Sequence, residues 1–282
     1  MNKSCLILEG GAMRGMYTAG VLDILMKNHI QFDAIIGVSA GALFGINYKS
    51  HQPGRVYRYN LKYIRNKDYM GIKSFLKTGN IMNKDFCFDK LVNELDKFDY
   101  ETFKNNKTKF FVVVTNLSTG KAEYVEIKDL KNNKEMEYLR ASGSMQYVSK
   151  IVEIDNKCYL DGATCDSIPI KHMENLGYNK IVVIGTRPEN YTKKYKHQPS
   201  WLFYNKYPNF IHALKLRPVM YNETIKYIEE KSRKNEIIFI RPSQNLKIKR
   251  LEKNKKKLKM LYELGKADAN AVLVPINKYL LK

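Results

Sequence analysis

Phe32-Asp33-Ala34-Ile35-Ile36-Gly37-Val38-Ser39-Ala40-Gly41 passes from an apolar run into a Gly-x-Ser-x-Gly turn and then into residues with helical spacing. A serine between two glycines at a strand-to-helix turn is a candidate nucleophile. Side chains at Gly37 and Gly41 would collide with the neighbouring strand and helix, so glycine there permits a sharp turn that holds the hydroxyl exposed beside a helix N-terminus.

A second junction of the same kind lies upstream. Gly10-Gly11-Ala12-Met13-Arg14-Gly15 follows the strand-like Cys5-Leu6-Ile7-Leu8 and opens a helix-like stretch up to Lys27. Two strand–glycine–helix junctions place two loops at one edge of a parallel sheet, one carrying the attacking group and the other backbone N–H donors for an oxyanion. The rest of the chain keeps the alternation. Strand-like runs fall at 33–38, 109–115, 151–154, 157–160, 180–186 and 236–241, mostly without alternating polar residues, as expected for strands covered on both faces. Helical patterns fall at 14–28, 40–49, 84–95, 135–141, 170–176, 219–234 and 248–271. The expected fold is α/β, a three-layer α/β/α sandwich with a mostly parallel central sheet, with residues 1–282 forming one domain. Two regions depart from the pattern: 191–221 mixes Tyr, Trp201, Phe and Pro with cations and reads as an irregular excursion, and 247–282 is a Lys-rich helical region.

Composition narrows the function. A chain of 282 residues with 44% hydrophobic residues can bury a substantial core, and no apolar run reaches the roughly 18 residues of a spanning helix. The opening Met1-Asn2-Lys3-Ser4 lacks a secretory-signal pattern, which sets the expectation of a cytoplasmic protein, peripheral at a membrane where it meets lipid. Cys5, Cys87, Cys158 and Cys165 are scattered, without disulfide or zinc spacing, and no metal or cofactor is expected. The net charge of +21 comes mainly from Lys, which outnumbers Arg 39 to 10. A solvated Lys-rich surface accounts for most of it. Of the specific anionic partners, a membrane surface is favoured over nucleic acid, because no nucleic-acid-binding signature is present.

A serine hydroxyl needs a base before it attacks a carbonyl. None of the five histidines, His29, His51, His172, His197 and His212, lies in a tight-turn motif. Asp161 does, at the end of Lys157-Cys158-Tyr159-Leu160 and before Gly162-Ala163. The glycine-rich loop fits neither nucleotide pattern: Ala12 replaces the second glycine of a dinucleotide fingerprint, and Met16-Tyr17 replaces the Lys-Ser/Thr of a phosphate loop. What remains is a set of backbone N–H groups at a helix start, with Arg14 as a nearby cation.

Together these residues resemble the patatin-like acyl hydrolases. The family pairs a Gly-Gly-Gly-x-Arg/Lys-Gly oxyanion loop with a Gly-x-Ser-x-Gly elbow and a later Asp-Gly-Gly/Ala, and the chain carries Gly10–Gly15, Gly37–Gly41 and Asp161-Gly162-Ala163 in that order. The resemblance covers about the first 185 residues and implies a Ser–Asp dyad without histidine. Ser39 would be the nucleophile and Asp161 the base. Gly10, Gly11, Ala12 and Met13 would form the oxyanion hole, supported by Arg14, Gly15, Gly37, Gly41 and Gly162. Lipid esters are the implied substrates, and 191–221 is assigned equally to an acyl channel and to simple packing. Two departures stand out. Ala12 occupies the third glycine's place, acceptable if its φ is negative, and Gln146 stands where proline is usual after Ala141-Ser142-Gly143-Ser144. Ser142 and Ser144 read as structural hydroxyls.

Two other readings compete. An α/β-hydrolase triad would recruit His172, His197 or His212, although its elbow normally follows several strands. A non-catalytic basic adaptor on anionic membrane would need none of the three motifs.

Overall fold

The apolar runs build one eight-stranded sheet in the computed structural model, which describes residues 2–195 and 197–281. Lys196, within 191–221, and the two terminal residues lie outside the described residues. The strands are β1 (Ser4–Leu8), β2 (Ala34–Val38), β3 (Lys109–Asn116), β4 (Lys121–Glu126), β5 (Val152–Ile154), β6 (Lys157–Asp161), β7 (Lys180–Ile184) and β8 (Ile237–Ile240). Their order is β5-β6-β3-β2-β1-β7-β8, with β4 paired to β3. From β3 to β8 every pairing along this path is parallel, whereas β4, β5 and β6 join antiparallel.

β1 and β2 are buried along almost their whole length because helices cover both faces. Leu6, Leu8 and Ile35 point to one side and Cys5, Ile7 and Ile36 to the other, the period-two alternation of a strand. The first side packs against α1 (Met16–Lys27), α2 (Ala40–Lys49), α3 (Arg55–Tyr63) and α10 (Lys255–Leu281). The second side packs against α7 (Ile170–Asn175) and α9 (Pro208–Arg233). The result is a three-layer α/β/α sandwich. Each fully buried Leu or Ile of β1 and β2 contributes about 1.5–3 kcal/mol relative to exposure. The other described elements are the shorter helices α4 (Ile72–Thr78), α5 (Tyr100–Asn105), α6 (Asn133–Ser142) and α8 (Ser200–Tyr204), a π-helical segment, Phe86–Leu95, and short 3-10 helices at Ala12–Gly15 and Gly162–Thr164.

Several elements differ from the sequence expectation. Within 191–221 the residues Ser200–Tyr204 are helical, and α9 begins at Pro208 rather than at Val219. Pro218 reads as a helix breaker, yet α9 runs through it, held by the buried Phe210, Ala213, Tyr221 and Ile228 on either side. In the Lys-rich region the helix starts at Lys255, not Ile248. β4 had no apolar signature because it is a half-exposed strand, Lys-Ala-Glu-Tyr-Val-Glu, paired to β3 across a turn at Gly120 with φ of +65°. None of the described helices is long and apolar enough to cross a membrane.

Candidate active site

Ser39 follows β2 directly and caps α2 with φ 55° and ψ −125°, a region that costs a non-glycine residue about 1–3 kcal/mol. The surroundings hold it there. Its carbonyl accepts the N–H groups of Ala42 and Leu43 at 3.0 and 3.1 Å, and its own N–H donates to Ser142 Oγ at 3.0 Å. The elbow is tight because α2 lies directly on the strands: a Cβ at Gly41 would stand 2.3 Å from the Leu8 carbonyl oxygen, and one at Gly37 2.5 Å from Ala42 Cα.

Asp161 ends β6, where that strand pairs with the last residues of β3. Its N–H donates to the Ser144 carbonyl and its carbonyl accepts Thr115 Oγ1, each at 2.9 Å, which fixes the backbone. Gly162 then lies flat on β3, with Val113 O only 2.2 Å from where a Cβ would stand. The carboxylate is aimed back across the sheet edge. Oδ1 accepts the Ala163 N–H at 2.8 Å and Oδ2 accepts the Ser39 hydroxyl at 2.7 Å. Burial raises the Asp161 carboxyl above the usual carboxylate range, while Arg217, the Ser39 hydroxyl, the Ala163 N–H and Arg250 pull in the other direction. The arrangement sets a buried serine hydroxyl directly on a buried carboxylate.

The glycine loop forms the opposite wall. A Cβ on Gly10 would meet Ser39 Cβ at 2.7 Å, and one on Gly11 would meet Thr186 Oγ1 at the same distance. Gly15 packs equally tightly against the Phe44 ring. Among the described residues the N–H groups of Gly10, Gly11 and Ala12 have no hydrogen-bond partner. Met13 differs from the sequence reading: its N–H donates to the Arg250 carbonyl at 3.0 Å and is already used. Ala12 differs as well, with φ of +48° rather than a negative value, so the alanine occupies a glycine-like conformation. Glu9, just before the loop, accepts the Thr186 N–H at 2.5 Å, Thr186 Oγ1 at 3.0 Å and the Tyr221 hydroxyl at 2.9 Å.

Four cations that sequence reasoning did not single out, Arg187, Lys193, Arg217 and Arg250, line the cleft together with Arg14. They come from the end of β7, the stretch after it, α9 and the segment before α10. Burial, then the nearby Arg187, pushes Arg14 down to about 10; burial and Arg217 push Lys193 down to about 6. One signal was available in the sequence. Arg187 lies just past the carboxyl end of a strand beside β1, the edge where α/β sheets bind ligands. In a Lys-dominated chain, four of the ten arginines converge on this cleft.

Gln146 lines the same cleft and donates to Thr164 Oγ1. Ser144 Oγ donates to the Arg140 carbonyl at 2.9 Å, a helix-end role. No histidine lines the cleft among the described residues. His172, for instance, stacks on Tyr124 with ring centroids 3.6 Å apart. Nor is any group of three His, Cys, Asp or Glu side chains among the described residues placed to hold a metal ion.

The patatin-like phospholipase family model matches residues 6–173, which contain the elbow, the glycine loop and Asp161. This chain belongs to the patatin-like phospholipase family. By that membership it is a lipid carboxylic-ester hydrolase. A second family model, a domain of unknown function, matches residues 207–281 of this patatin-like chain, the part that supplies Arg217 and Arg250. Among curated proteins the chain is similar to the uncharacterized protein YjjU of Escherichia coli, 26% identical over 281 residues, covering 98% of this chain and 78% of that protein. It is also similar to lysophospholipase nte1 of Aspergillus niger, 26% identical over 222 residues, which cover 73% of this chain but 13% of that protein. Among solved structures, VipD from Legionella pneumophila aligns with 99% of this chain and 67% of its own at 11% identity and a TM-score of 0.46.

Proposed function

We propose that the chain hydrolyses the carboxylic ester bonds of phospholipids, lysophospholipids or acylglycerols through a Ser39–Asp161 dyad and an acyl-enzyme intermediate. The 2.7 Å hydrogen bond from Ser39 Oγ to Asp161 Oδ2, in a cleft that also holds unused N–H groups, carries this reading.

In the first step Asp161 takes the hydroxyl proton while Ser39 Oγ attacks the ester carbonyl carbon. The developing oxyanion is received by the N–H groups of Gly11 and Ala12, with Gly10 beside them, each such donor being worth about 3–4 kcal/mol in the transition state. Met13 is left out, since its N–H serves Arg250. The proton held by Asp161 passes to the departing alcohol oxygen as the C–O bond breaks. Water then attacks the acyl-enzyme, giving its proton to Asp161; the fatty acid leaves and Ser39 recovers the proton. The raised affinity of Asp161 for protons makes a lone carboxylate a stronger base than usual, which replaces what an imidazole would supply.

Labelling with a fluorophosphonate probe and peptide mapping tests the reading. An adduct on Ser39 that is lost in Asp161→Asn is expected; absence of any adduct on the folded chain overturns it. Residues 1–282 act in this proposal as one unit, because Arg217 and Arg250 reach the same cleft as Ser39.

A further inference from the structure

The cleft around Ser39 holds five basic side chains, Arg14, Arg187, Lys193, Arg217 and Arg250, against two carboxylates, Glu9 and Asp161, an excess of three positive charges when all are ionised and of two at neutral pH, where Lys193 is largely neutral. Both carboxylates are occupied by neutral donors: Glu9 by Thr186 and Tyr221, Asp161 by Ser39 and Ala163. Among the described residues none of the five cations forms an ion pair. The Nε atoms of Arg14 and Arg217 are shut off from solvent and have no hydrogen-bond partner. Two of the cations are held in place by rings, with Lys193 Nζ 3.6 Å from the Tyr221 centroid and the Arg187 guanidinium 3.9 Å from that of Tyr191. Convergent, mutually repelling cations with unused donors are costly unless an anion completes them.

We propose that this cage receives a terminal phosphate monoester, so that the preferred substrate is a lipid ester whose head group ends in phosphate. This deepens the Ser39–Asp161 reading and rests on it. Guanidinium groups match phosphate oxygens in paired hydrogen bonds, and a doubly charged group offsets most of the excess charge. The cleft itself has little apolar lining for an acyl chain, whereas a separate apolar cavity lined by Leu43, Phe44, Leu91 and Leu139 lies against α2 and α6. Arg217 and Arg250 belong to the region matched by the domain of unknown function, which gives that region a task at the site.

The test is calorimetric binding to the intact Ser39→Ala chain, which does not turn over its ligand. The probes are 1-hexanoylglycerol 3-phosphate, 1-hexanoylglycerol and inorganic phosphate. The phosphate ester should bind at least about tenfold tighter than the neutral ester, and Arg217→Met should cut that ratio several-fold. Arg250→Gln should do the same and, being exposed, leaves the fold intact. Equal binding of the two esters overturns the proposal. So does inorganic phosphate binding as tightly as the phosphate ester, which would mark a site for free anion rather than for a head group. Fluorophosphonate labelling of the unsubstituted chain reports on the dyad separately, so the two readings fail by different results.

Discussion

Gly20 on α1 and Gly265 on α10 mark the centre of a reciprocal helix crossing. A Cβ on Gly20 would stand 2.1 Å from the Tyr262 carbonyl oxygen, and one on Gly265 2.2 Å from that of Tyr17. The side chains repeat the exchange: Tyr17 donates to Asp268 at 3.0 Å and Tyr262 to Asp23 at 2.5 Å. Each helix carries Tyr-x-x-Gly-x-x-Asp, and the antiparallel crossing joins the two copies. Because the glycine loop leads into α1, and Arg250 just before α10 holds Met13, this crossing ties the C-terminal region to the site.

Gly265→Val should therefore destabilise the chain by about 3 kcal/mol or more, since backbone rather than a movable side chain blocks the added carbon. Tyr262→Phe should cost less, about 1–3 kcal/mol, for a half-buried carboxylate that loses one donor but keeps the Gly54 N–H. Urea unfolding of the two variants gives the comparison, and a larger loss for Tyr262→Phe would refute the packing account.

Ser39→Ala and Asp161→Asn should each lower kcat/KM on a lipid ester by about 10³–10⁴-fold or more, with the double variant little worse than either single one. Alanine at His172, His197 or His212 should leave activity within about twofold. One indispensable histidine would restore the triad reading.

Asp161 must be ionised to act as a base, so kcat/KM should rise with pH on a limb lying above the ordinary carboxylate value of about 3.9. The stability effect has the opposite sign. Because the folded carboxyl binds its proton more tightly than the unfolded one, stability is lost as pH rises through the folded pKa. Asp161→Asn should accordingly have a higher Tm than the unsubstituted chain at neutral pH, and the gain should shrink towards pH 4. A lower Tm at neutral pH would mean that the neighbouring cations outweigh burial.

Backbone strain at the site gives a separate handle. Ser39→Gly should be more stable than Ser39→Ala by about 1–2 kcal/mol, since only glycine adopts φ 55°, ψ −125° without penalty. Ala12→Gly, at φ +48°, should stabilise the chain by up to about 1 kcal/mol and keep activity, because the N–H donor is unchanged. Thermal unfolding of the three variants would show it, and no difference would mean that the loop relaxes.

The chain's own residues determined the parallel core, the two glycine junctions and the three ordered motifs, because apolar runs and tight turns are local properties of consecutive residues. The motif residues Ser39 and Asp161 were legible for the same reason. Only the tertiary structure decided that they meet across 122 positions, that Met13 spends its N–H on Arg250, and that α9 continues through Pro218. It also decided which cations line the cleft: a lysine or arginine reads the same in sequence on an open surface and in a cleft. Position relative to a sheet edge, set by contacts between distant segments, separates Arg217 in the cleft of Ser39 from the many charges that face water.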